Sequence, residues 1–95
     1  MNRNQLKEIC ANHRDGDIRL KIYENTAEVP YHWHDEYEFI YITGGKCLCS
    51  IEGVTYPMKS GSGVLVKGGL IHALSRAGNS PYTYFAIVFH PYMIY

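Results

Sequence analysis

From Ile18 to Tyr23 the chain reads I-R-L-K-I-Y, apolar and polar in strict alternation. That is the period of a strand with one buried face. Upstream, Leu6, Ile9 and Cys10 fall at helical spacing, so a short N-terminal helix is expected over residues 4–13, followed by a turn at R-D-G-D. Downstream, E-F-I-Y-I-T (Glu38 to Thr43) is mostly apolar at consecutive positions and predicts a strand buried on both faces. Gly44 and Gly45 end it, and K-C-L-C-S-I follows, which is the signal of a hairpin. Glu52-Gly53 predicts a second hairpin into V-T-Y-P-M-K. Three further strands, V-L-V-K, I-H-A-L-S-R and Y-T-Y-F-A-I-V-F, lie between glycine-rich turns. Seven or eight short strands so punctuated predict an all-β domain, a sandwich or barrel of antiparallel strands. The expected organisation is a helix and turn over residues 1–17 and one β domain over 18–95.

Composition narrows the class. At 95 residues and 46% hydrophobic, the chain can bury one modest core and is not of the disordered type. Nine Lys/Arg offset nine Asp/Glu. A neutral chain has no broad attraction to phosphate backbones or anionic membranes, so direct nucleic-acid contact by this segment is not expected. No apolar run approaches the roughly 18 residues of a membrane span, and the polar start lacks a secretory signal. Three cysteines, Cys10, Cys47 and Cys49, form no C-x-x-C pair. They read as free thiols in a reducing compartment, the cytoplasm, with Cys47 and Cys49 as small core residues.

The chemistry concentrates in Y-H-W-H-D-E-Y-E, Tyr31 to Glu38. On an extended strand His32, His34 and Glu38 have one parity and share a face. His72, opening a later strand after a Gly-Gly turn, is placed to join them. Two or three imidazoles and one carboxylate suit zinc, iron, nickel, copper or manganese. Spacing alone leaves a second reading open, in which the same groups bond one another or a polar molecule without metal. Asp35 and Glu36 read as solvated turn acids, His13 as solvated, His90 as structural or exposed, and Trp33 as packing outside the barrel. Tyr82 and Tyr84 share a face with Ala86 and Val88 on the last strand, where they either meet a ligand or fill the barrel.

H-W-H-D-E-Y-E-F-I-Y-I-T-G-G resembles the first cupin motif, with His32, His34 and Glu38 at H-x-H-x3-E and Gly45 closing it. G-S-G-V-L-V-K-G-G-L-I-H resembles the second, with Gly61, Gly69 and His72 in register. The chain departs from the pattern at Thr26, where the first motif opens with glycine, at Lys67 (proline in the family) and at Arg76 (often asparagine). The order of the motifs and the ending Phe89-His90-Pro91 look like the N-terminal, arabinose-binding-like effector domain of AraC-type bacterial transcriptional regulators. The similarity spans about Ile18 to Tyr95. It implies a double-stranded β-helix, the jelly-roll barrel, whose pocket is lined by His32, His34, Glu38, His72, Tyr82 and Tyr84. It also implies a sugar or other small polar metabolite as effector, a homodimer, and DNA contact through a helix-turn-helix region absent from this segment.

Two functions therefore compete: an effector sensor, with or without a divalent metal such as Zn, Ni, Fe or Mn, and a stand-alone metal-dependent enzyme such as a dioxygenase or isomerase. A third is a dimerisation barrel with an empty pocket. An enzyme needs a general acid or base besides its metal ligands, and the sequence offers none distinct from the four. The sensor is the expectation.

Overall fold

The computed structural model describes residues 18–91. The helix and turn expected over 1–17 lie outside them, as does His13. Eight strands make up the described chain: β1 (Ile18–Thr26), β2 (Val29–His32), β3 (Tyr37–Gly44), β4 (Lys46–Ile51), β5 (Val54–Lys59), β6 (Gly63–Val66), β7 (His72–Arg76) and β8 (Tyr82–Phe89). They form two antiparallel sheets in the orders β1-β8-β3-β6 and β2-β7-β4-β5. This interleaving is the eight-stranded jelly roll, in which the chain crosses from sheet to sheet at most connections.

That topology corrects one expectation. Gly44-Gly45 is not a hairpin turn: β3 and β4 belong to different sheets, and the glycines form the corner between them. The Glu52-Gly53 turn does close a hairpin, with Ile51 opposite Val54. Both turn residues have positive φ (47° and 83°), the signature of the tight turn whose twist matches the flanking strands.

Register decides which residues face inward. Glu38, Ile40 and Ile42 of β3 lie opposite Val88, Ala86 and Tyr84 of β8. Across the sandwich they meet Cys47 and Cys49 of β4, Met58 of β5 and Leu74 of β7. Burial pushes both thiols up to about 11, which leaves them as inert packing groups. Strand β3 is not buried on both faces as its composition predicts. Its inner residues are buried while Tyr37, Phe39 and Tyr41 are half-exposed. Ring contacts such as Tyr41 on Phe85, centroids 5.2 Å apart, run along its outer face.

A second correction concerns β1. Its alternation is real and its apolar set is half-buried, but the register puts the polar set on the barrel side. Arg19, Lys21 and Tyr23 lie opposite Val88, Ala86 and Tyr84, with Arg19 and Tyr23 still reaching solvent. Opposed residues of an antiparallel pair share a face. The apolar set Ile18, Leu20 and Ile22 therefore shares the outer face with Phe89, Ile87 and Phe85.

Gly45 is constrained twice. Its φ is +77°, and an added Cβ would stand 2.8 Å from the Pro81 carbonyl oxygen. Gly45→Ala is expected to cost about 1–3 kcal/mol from backbone strain alone, read as a lower urea midpoint with an unchanged slope. An unshifted midpoint would show that the corner relaxes freely.

Candidate metal and ligand site

The first sheet brings Glu38 and the second brings His32 and His72, which face each other directly across β2 and β7. His34 stands in the connection between β2 and β3, where the chain leaves one sheet for the other. The shared parity of His32, His34 and Glu38 is therefore not what gathers them. The bend at Trp33–Glu36 abolishes a continuous pleat, and the facing of the two sheets does the gathering. One ligating atom from each of His32, His34, Glu38 and His72 falls in a cluster with all separations within 4.8 Å. Ligands about 2.0–2.2 Å from one ion lie at most about 4.4 Å apart, so a small contraction would complete a coordination sphere.

The bend is fixed from several sides. The Gly69 N–H donates to the His34 carbonyl at 2.8 Å. Gly68 passes so close that an added Cβ would collide with the Asp35 carbonyl. Glu36, expected as a solvated acid, instead pairs with Arg19 of β1, whose Nη2 is 2.6 Å from both carboxylate oxygens. Asp35 and Trp33 are exposed, Trp33 by 63%.

All three imidazoles are oriented alike. Nδ1 of His32 lies 2.8 Å from the Pro30 carbonyl, Nδ1 of His34 2.9 Å from that of Glu36, and Nδ1 of His72 2.8 Å from that of Leu70. A carbonyl oxygen only accepts, so each Nδ1 must carry the proton and each neutral ring turns a bare Nε2 lone pair elsewhere. For His34 and His72 that direction is Glu38: their Nε2 atoms are 2.9 Å and 3.6 Å from Oε1. His72 Nε2 is fully buried and has no hydrogen-bond partner. Lone pairs thus converge on a carboxylate with no proton between them, an arrangement that needs added protons or a cation.

Burial and charge oppose each other over the protons here. Burial pushes the Glu38 carboxyl up, but the close approach of the His72 and His34 imidazoles outweighs it, and the net shift is downward. Burial likewise pushes His72 down, and the Glu38 carboxylate with the Leu70 carbonyl more than reverses it.

The cluster opens into a hollow of about 90 Å³, whose wall also includes Tyr84, Ile40, Leu74 and Val29. Lys21 and Tyr23 complete it. Neither was foreseen from the sequence, because only the β1–β8 register reveals that the polar side of β1 faces inward. Tyr82 is elsewhere: it is 1% exposed, packs in the core against Tyr84 with ring centroids 5.8 Å apart, and is not part of this wall. His90 is half-buried and outside the cluster.

Fold and site together define a cupin barrel with a ligand-type hollow at one end. Residues 17–94 match the AraC-like ligand binding domain, and the chain belongs to that family. It is 27% identical over 95 residues to YdeC, an uncharacterized HTH-type transcriptional regulator of Bacillus subtilis, covering 94% of this chain but 32% of that protein. The chain thus spans about a third of the length of this relative. Among solved structures it resembles a cupin protein from Bacteroides fragilis (TM-score 0.67, 22% identity, 78% of this chain and 64% of that one). It also resembles a predicted oxalate decarboxylase from Thermotoga maritima (TM-score 0.66, 23% identity, 77% and 64%). At these identities the two structures speak for the fold alone.

The paired shifts set a pH window for the metal-free protein. The Glu38 contribution is complete above its ordinary 4.5 and is lost as pH falls through its lowered value. The His72 contribution is complete below its ordinary 6.5 and is lost as pH rises through its raised value. The stability difference between wild type and Glu38→Gln should therefore be largest between 4.5 and 6.5 and shrink on either side. Urea unfolding of chelator-treated protein at a series of pH values measures it; a difference independent of pH would uncouple the two groups.

Proposed function

We propose that this barrel senses a small polar molecule for an AraC-type transcriptional regulator, and that a divalent transition metal held by His32, His34, Glu38 and His72 takes part in the binding. The observation that carries the metal is the fixed tautomer of the three imidazoles. Their Nδ1 protons are committed to backbone carbonyls, so the Nε2 atoms are available only as acceptors or ligands. Three imidazoles and a carboxylate suit zinc, nickel, iron or manganese and leave coordination positions open toward the hollow. A metal so held supplies a Lewis-acidic anchor for oxygen atoms of the effector. The side chains around it orient the ligand and exclude water, with Tyr84 as a flat wall and Ile40 and Leu74 as apolar packing.

Family membership supports sensing over catalysis. In this reading DNA is contacted by a helix-turn-helix region beyond this segment, within a cytoplasmic homodimer. The neutral charge of the segment fits that division of labour. The same donor set would also serve a metal-dependent dioxygenase or isomerase, which keeps the enzyme as the second reading.

Elemental analysis of protein purified without a metal-affinity tag should find about one equivalent of a transition metal per chain, the number one such cluster holds. The double variant His34→Ala/His72→Ala should hold less than about a tenth of that. Full retention of metal by the double variant would show that these residues are not the ligands.

A further inference from the structure

Lys21 is the one lysine or arginine in the wall of the hollow. It sits on β1 directly opposite Ala86, and Ala86 lies opposite Ile40 of β3. Arg19, its neighbour on the same face, is taken up by Glu36. Glu38, the only acid in the wall, is engaged by His34 and His72. Among the described residues no carboxylate lies within ion-pair distance of Lys21. A lysine lining the hollow without a carboxylate partner offers a bound anion an unshared positive charge.

We infer that the effector carries a carboxylate on a short carbon chain, received by Lys21 and the histidine–glutamate cluster together. The inference rests on the sensor reading, and it narrows the ligand. With a divalent cation on the cluster, the ion and Lys21 outweigh the Glu38 carboxylate by two charges, so the occupied hollow attracts anions more strongly still. Size argues the same way. About 90 Å³ is well below the roughly 150 Å³ cavity that admits benzene. A three-carbon acid fits within it, whereas a whole sugar ring would stand partly in the mouth. Phosphate is the less suited oxyanion. Such sites typically offer arginine forks or successive backbone N–H groups, and this wall instead offers one lysine among Val29, Ile40, Leu74 and tyrosine rings. Those apolar surfaces suit a methyl or methylene group.

Lactate and propane-1,2-diol have nearly the same shape and differ in charge, which makes them suitable probes. Titrated into Co(II)-loaded protein, lactate should give saturable heat and a saturable change in the visible cobalt bands. Propane-1,2-diol and inorganic phosphate should bind at least about tenfold more weakly. Lys21→Met and Lys21→Gln should retain cobalt at wild-type stoichiometry and lose about tenfold or more in lactate affinity. Equal affinity for lactate and the diol, tighter binding of phosphate, or wild-type lactate affinity in Lys21→Gln would each overturn the inference. Failure of the wild type to take up cobalt would instead overturn the metal reading. The lysine comparison, run by calorimetry on the metal-free protein, would still decide whether the ligand is a carboxylate.

Discussion

Three hydrogen bonds from imidazole Nδ1 to backbone carbonyls organise this barrel's interior chemistry. Each is made within two residues of its own histidine, so the local backbone sets the ring's orientation. Together they commit each neutral ring's one proton to the backbone, so Nε2 is left able only to accept a proton or bind a cation. The proton is already used, and what remains is a lone pair beside a carboxylate. Everything proposed about cation binding follows from that commitment.

The jelly-roll topology supports the cluster by keeping its members on separate, independently anchored elements. His32 and His72 are held by the β2–β7 ladder, Glu38 by neighbours on both sides of β3, and His34 by the Gly68–Gly69 turn. Strands held on a scaffold position ligands more rigidly than a free loop does. His34, the one member on a connection, is restrained from outside it by the Gly69 N–H bond to its carbonyl. The Arg19–Glu36 pair belongs to that restraint. As a surface ion pair it adds little to stability, and its significance lies in tying β1 to the bend.

The fold places a cationic side chain where a strand's alternation would ordinarily bring an aliphatic one. Turning Lys21 and Tyr23 inward forgoes apolar burial on that part of β1, while Ile18, Leu20 and Ile22 occupy the outer face. Such a local departure from the packing pattern is characteristic of a position used for binding.

Much was legible in the residues themselves. The strand positions follow from alternation and glycine spacing, which are local properties. The Glu52-Gly53 turn was visible because a two-residue turn with positive φ has a strong chemical preference. His32, His34, Glu38 and His72 were singled out because imidazoles and a carboxylate at that spacing resemble a known motif. Partnership was not legible. The sequence could not say that Gly44-Gly45 turns a corner between sheets, that Tyr82 lies in the core while Tyr84 meets the hollow, or that the polar side of β1 faces in. Each depends on which strand lies beside which and in what register, and a shift of one residue exchanges the two faces. The chain by itself determined which groups are available for chemistry, because side-chain identity and local periodicity are written residue by residue. Only the tertiary structure decided which of them meet, because the two facing sheets are assembled from segments far apart along the chain.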